Sequence, residues 1–262
     1  MTITAKAMLT RAVENGVATL ALNHPPANTL TLDLLLELEA AFDALAADRA
    51  VKAIIVTGSG RFFIAGADIR VLAGIPSSRE GTEMALRGQA IFNKIEACPR
   101  PVIAAINGVC LGGGLELAIC CHIRLAAEGA RFGQPEINLG IIPGFGATQR
   151  LSRLIGRSKA TELILTGDLI SAQEAKALGL LSQVVPPEDL LRQAQGLAGK
   201  IASKGQLAVR SALRAIHEGT ELGLREGLDL EARLFGELCD SEDKKEGTSA
   251  FLEKRQPRFQ DR

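Results

Sequence analysis

The spacing of apolar positions changes several times along the chain, and each change predicts an element. Residues 7–23 read as two strands around Asn15-Gly16, a dipeptide suited to a tight hairpin turn, with His24-Pro25-Pro26 ending the second. From Thr31 to Leu45 apolar residues recur at helical spacing, and Thr31 stands where a first-turn cap is needed. Val51 to Thr57 is a β-branched run that predicts a buried strand, and Gly58-Ser59-Gly60 breaks it. Phe62 to Ile69 is apolar and small. Residues 72–82 read as a mobile loop, 83–97 as a helix ending at Cys98-Pro99, and Val102 to Ile106 as another buried strand. A short helix to about Cys120 and a strand from His122 to Ala127 follow. From about residue 188 strands cease, and the pattern predicts helices over 188–202, 205–217, 221–239 and 241–253.

Short buried strands alternating with helices define the α/β class. The closing run of helices predicts a separate C-terminal region. Helices that cannot all pack on one core bury their apolar faces against a partner, so oligomerisation is expected.

Within this pattern one segment stands out. The run Val102 to Ile106 leads to Gly112-Gly113-Gly114-Leu115-Glu116. Three consecutive glycines cost backbone entropy, and taken alone they most often make a structural turn. Here they open a helix, whose first N–H groups and positive dipole end face outward. Glu116 lies in that first turn and Glu136 follows in Phe-Gly-Gln-Pro-Glu, which adds two carboxylates to the donors. Either glutamate alone would read as a solvated charge or a helix-terminal acid.

Composition narrows the function. The 262 residues carry 30 basic and 30 acidic side chains, so no global basic field exists to hold nucleic acid or an anionic membrane. Trp and Tyr are absent, which leaves few stacking platforms for single strands. Five cysteines (Cys98, Cys110, Cys120, Cys121, Cys239) lie in apolar contexts without metal-ligand spacing. They predict buried free thiols, no metal site and a reducing, cytoplasmic setting. Met1 to Lys6 lack a leader's apolar core, and no apolar run is long enough to span a membrane. His24, His122 and His217 accompany no nucleophile motif, which disfavours a Ser/His/Asp hydrolase.

Four segments together resemble the enoyl-CoA hydratase/isomerase (crotonase) superfamily, most of all its short-chain hydratases. They are residues 62–69 (FFIAGADI), Ile103 to Gly108 with Gly112 to Ala118, residues 132–151 (FGQPEINLGIIPGFGATQRL), and the tail from Phe251 to Phe259. The likeness is collinear over essentially the whole chain. It implies a spiral of ββα repeats holding the acyl-CoA site over residues 1–195, and a helical trimerisation region over 196–262. Family members form homotrimers or hexamers built as dimers of trimers.

The resemblance also implies roles. The substrate is an acyl-CoA thioester, so coenzyme A enters as part of the substrate and no separate cofactor is needed. Backbone N–H groups of Ala67 and Gly113 are expected to hold the thioester oxyanion, an arrangement that a small residue and a glycine permit sterically. Glu116 is expected to activate water and Glu136 to protonate the α-carbon, with the two titrating as a pair. Gly144 matches a glycine beside the catalytic water. Ala65, Asp68 and Ile69 are expected along the CoA arm, Phe251 and Lys254 at its nucleotide end; Asp68 equally suits a loop cap, and Lys254 a surface charge. His122 departs from the family pattern, in which an acidic residue is usual, and is expected to affect packing.

Retention of both glutamates favours hydration of trans-2-enoyl-CoA to (S)-3-hydroxyacyl-CoA, in fatty-acid or branched-acid breakdown. The rival within the family is a Δ3,Δ2-enoyl-CoA isomerase or another acyl-CoA lyase. The rival outside catalysis is an RNA-binding homologue, which needs a lysine-rich helix face; the predicted helix 31–47 has neither Lys nor Arg.

Overall fold

The computed structural model describes residues 7–262; Met1 to Lys6, on which the expectation of no leader rests, lie outside the described residues. Strands Leu9–Glu14 (β1) and Val17–Leu22 (β2) pair antiparallel, and Asn15 and Gly16 both take positive φ (51° and 78°) to close the hairpin. The helix Leu32–Ala47 (α1) is capped by Thr31, whose side chain accepts from the Leu34 N–H at 3.2 Å.

The chain then winds through repeated ββα turns. Ala53–Gly58 (β3) and Phe62–Ile64 (β4) lead to Ile69–Ala73 (α2) and Ser78–Glu96 (α3). Val102–Ile106 (β5) and Val109–Leu111 (β6) lead to Gly113–Cys120 (α4). Ile123–Ala127 (β7) and Arg131–Gly133 (β8) lead to a 3-10 turn, Pro135–Leu139, and to Ala147–Ile155 (α5) and Arg157–Thr166 (α6). Ile170–Ser171 (β9), Ala172–Ala177 (α7) and Gln183–Val185 (β10) complete the winding. In the turns β3–β4, β5–β6 and β7–β8 the first strand joins a six-stranded sheet of order β1-β2-β3-β5-β7-β10. The second joins a four-stranded sheet of order β4-β6-β8-β9. Pairing is parallel except in β1–β2 and β8–β9. This is the expected crotonase-type α/β spiral.

Strand alternation divides the core. Ile54, Val56, Ala104 and Ile106 face one cluster with α1, α3 and α4. Ala53, Ile55, Ile103 and Ala105 face the other way, onto Leu190–Ala202 (α8). That helix presents Leu190, Ala194, Ala198 and Ala202 every four residues, and the small side chains let it lie close on the sheet. Residue 195 falls inside α8, so on packing the helical region begins after Ala202. It comprises Gln206–Gly219 (α9), Leu224–Cys239 (α10) and Glu242–Leu252 (α11). Ile216, Leu224, Leu228, Phe235, Phe251 and Leu252 stand exposed there.

The segment 72–82 is a correction. α2 runs to Ala73, and α3 begins at Ser78 rather than at 83. Ser77 caps α3 by accepting from the Glu80 N–H, while its hydroxyl donates to the Glu80 carboxylate. A loop reading missed this because Gly81 and Thr82 dilute the helical pattern of the first turn.

Candidate active site

Each glycine of the triplet meets a different demand. Gly112 takes φ 52° and ψ −125°, a conformation that L side chains rarely adopt. A β-carbon there would lie 2.7 Å from Glu136 Oε1. On Gly113 it would lie 2.9 Å from Leu30 Cδ2, and on Gly114 2.5 Å from the Ile64 carbonyl oxygen of β4. The triplet lets the start of α4 sit against β4, Leu30 and the 3-10 turn at once.

Leu30 ties the two predicted donors to one place. Its N–H donates to the Gly66 carbonyl (2.8 Å) and its carbonyl accepts from the Asp68 N–H (3.3 Å), an isolated parallel bridge opposite Ala67. Its side chain packs on Gly113. In such a bridge the Ala67 N–H points away, and it has no protein partner among the described residues. The Gly113 N–H, in the first turn of α4, is likewise unpaired among them. Two free backbone donors at a small residue and a glycine can stabilise an oxygen that gains charge.

Every residue of α4 is buried, and Glu116 is 2 % exposed. Its Oε1 accepts from the Phe145 N–H (2.8 Å) and the Ala147 N–H (3.0 Å). Burial raises its pKa above the ordinary carboxyl value, opposed by the N–H groups of Ala147, Phe145 and Gly146 and by the Arg150 charge. Glu136, in the 3-10 turn, has fewer such donors. Burial pushes it up to about 7, its own backbone N–H opposes this, and the Glu116 charge adds to the rise. The buried Gln134 amide faces both Glu136 carboxyl oxygens, and turning its nitrogen toward them lets it donate to each, at 3.1 and 3.0 Å. The fold brings together two carboxyls whose proton affinities are both raised by burial, a pair that can take a proton from one atom and give one to another.

The other predicted residues divide. Gly144 belongs to the loop carrying Phe145, and its carbonyl accepts from Gln89 Nε2 at 2.8 Å. Ala65 donates its N–H to the Ala27 carbonyl (3.2 Å), and Ile69 is largely exposed beside it. Asp68 caps α2 by accepting from the Arg70 N–H (2.9 Å), a bond that holds its carboxyl below the usual range. Phe251 and Lys254 stand exposed at the end of α11 and make no hydrogen bond to these site residues. His122 accepts the Val102 N–H on Nδ1 (2.8 Å), and its Nε2 lies 3.1 Å from the Glu96 carbonyl, tying β5 to α3. Cys98, Cys110, Cys120 and Cys121 are buried free thiols. Among the described residues no cluster of His, Cys, Asp and Glu is arranged to hold a metal, and no helix is long and apolar enough to cross a membrane. Gln134, Arg150 and the Phe145 and Ala147 N–H groups escaped the sequence reading, although Gln134 and Arg150 lie within the motif 132–151.

A spiral α/β fold with paired free N–H groups, one buried carboxyl and one half-buried carboxyl is the equipment of an acyl-transforming hydratase/isomerase class. The chain belongs to the enoyl-CoA hydratase/isomerase family, whose sequence profile matches residues 12–262. It is 49% identical over 248 residues to a crotonyl-CoA hydratase of Syntrophomonas wolfei, covering 94% of this chain and 95% of that one. It is 43% identical to a short-chain-enoyl-CoA hydratase of Clostridium acetobutylicum, covering 92% and 93%. Among solved structures, an enoyl-CoA hydratase from Bacillus anthracis superposes with a TM-score of 0.94 at 41% identity, covering 98% of this chain and all of that one.

Proposed function

We infer that the protein is an enoyl-CoA hydratase, a hydro-lyase that reversibly adds water to trans-2-enoyl-CoA and gives (S)-3-hydroxyacyl-CoA. The carrying observation is the pair of carboxyls: Glu116 held by the backbone N–H groups of Phe145 and Ala147, Glu136 pushed toward its neutral form beside it. The thioester oxygen takes the N–H groups of Ala67 and Gly113, which polarise the conjugated system and make C3 electrophilic. Glu116 removes a proton from water as the water oxygen bonds to C3. Charge accumulates on the thioester oxygen, and Glu136 delivers its proton to C2. Return of one proton from Glu116 to Glu136, directly or through solvent, resets the site.

Gly144 is proposed beside the water, Ala65, Asp68 and Ile69 along the CoA arm, and Phe251 and Lys254 at its nucleotide end from a neighbouring subunit. The exposed apolar side chains of α9, α10 and α11 support a homotrimer or a dimer of trimers. The buried free thiols support a cytoplasmic setting. The short-chain names of the relatives support a short acyl substrate. Incubation with crotonyl-CoA tests the reading. Loss of the conjugated-thioester absorbance with formation of (S)-3-hydroxybutyryl-CoA is expected. Its absence, with double-bond migration from a 3-enoyl-CoA instead, would make the protein an isomerase.

A further inference from the structure

The loop 143–147 carries the N–H groups of Phe145 and Ala147 that end on Glu116. Arg150, in the first turn of α5, holds that loop from behind. Its Nη1 donates to the Phe145 carbonyl at 3.1 Å. Its Nε and Nη2 both reach Glu96 Oε2 at 2.8 Å, and Nη2 also donates to the Asn93 amide oxygen. Gly146, between the two donors, has φ 122°, and a β-carbon there would collide with Arg150 Nη1. Only a glycine leaves the guanidinium room against this backbone.

We propose that Arg150 is a positioning residue for hydration: anchored by Glu96, it sets the Phe145 carbonyl and with it the N–H pair that keeps Glu116 oriented. This rests on the hydratase reading above. The charged and titratable groups around Glu116 are Glu136 from the 3-10 turn, Cys120 on its own helix, Arg150 from α5 and Glu96 from α3 beyond it. Of these Arg150 supplies positive charge, and that charge opposes the rise that burial imposes on Glu116. Arg153, His217 and Glu221 lie further out, lining with Arg150 a surface cleft of about 930 Å³. A shorter side chain at 150 therefore leaves space for water rather than a dry void.

Two replacements separate charge from geometry. Arg150→Gln removes the charge and the fork; Arg150→Lys keeps a charge without the fork. With crotonyl-CoA, Arg150→Gln is expected to lower kcat roughly 10- to 100-fold, a misplacement effect, with KM within about twofold. The acidic limb of its pH–rate profile should move to higher pH. Arg150→Lys should return that limb toward its wild-type position while recovering only part of kcat. Carboxyl carbon-13 titration, with the Glu116 resonance assigned through Glu116→Gln, reads the same shift without turnover.

Unchanged kcat, a loss confined to KM, or an unmoved Glu116 titration in folded Arg150→Gln would overturn the proposal. If Arg150→Gln does not fold, Glu96→Gln, which loosens the anchor and leaves the Arg150 charge in place, carries the kcat-against-KM readout. A wild-type protein that hydrates nothing sinks the hydratase reading, and the Glu116 titration still decides whether Arg150 governs that carboxyl.

Discussion

Glu136 Oε1 stands 2.7 Å from the point that a β-carbon on Gly112 would occupy. The acid and the turn before α4 thus lie in close contact, and a side chain at position 112 must move the carboxyl. Gly112→Ala must displace the Glu136 carboxyl and also adopt φ 52° with ψ −125°. We expect a stability loss of about 1–3 kcal/mol from the backbone alone. Hydration should fall about 100-fold or more, because the proposed proton donor is moved. Urea unfolding and crotonyl-CoA kinetics on one preparation check both; full activity would show that Glu136 can leave Gly112 without consequence.

Glu136 is expected to cost the fold stability that it gives to catalysis. Its folded pKa is raised from 4.5 to about 7. Between those values the folded state binds more protons than the unfolded one, so stability falls as pH rises through this window and the full penalty applies above it. Glu136→Gln removes the penalty. At about pH 8 the variant should be more stable by on the order of 2–3 kcal/mol, and at about pH 4 no more stable than wild type. Denaturant melts at the two pH values test this. An equal effect at both would assign the change to packing.

The proposed roles of the two carboxyls predict the shape of the rate profile. The proposed mechanism uses Glu116 ionised and Glu136 protonated, so kcat/KM should be bell-shaped, with its alkaline limb near pH 7 set chiefly by Glu136. The limbs belong to the pair, since each carboxyl feels the other. Residual activity of Glu136→Gln should lose the alkaline limb, and that of Glu116→Gln the acidic one. Survival of the alkaline limb in Glu136→Gln would reverse the acid and base assignments.

Much of the fold was legible because its longer elements carry local signals. The Asn15-Gly16 turn, the Thr31 cap and the four closing helices stand close to where the pattern put them. The second sheet was not legible. β6 and β8 have three residues each and β9 has two, too few for any period to register. The start of α3 was legible in principle, since Ser77 and Glu80 form the spacing of a capping pair. At the site, Glu116 and Glu136 were visible as side chains in motifs. The partners that distinguish them were not. Phe145 and Ala147 act through backbone N–H groups, which no side chain announces, and Arg150 meets Glu96 across a sequence gap that only the fold closes.

Gly113 offers a way to isolate one backbone donor. As the first residue of α4, its N–H has no helical partner, so proline there removes the donor without breaking a helical hydrogen bond. Proline also adds a β-carbon, which would lie 2.9 Å from Leu30 Cδ2. Gly113→Ala is the matched control: it adds the same carbon against the movable end of the Leu30 side chain and keeps the N–H. We expect Gly113→Ala to retain activity within roughly tenfold and Gly113→Pro to fall a further 10²–10³-fold in kcat, about the effect of one oxyanion donor. Thermal melts on both establish that they are folded. Equal kcat in the two folded variants would leave the Gly113 N–H without a role in holding the thioester oxygen, and the charge would then have to be carried from the Ala67 side.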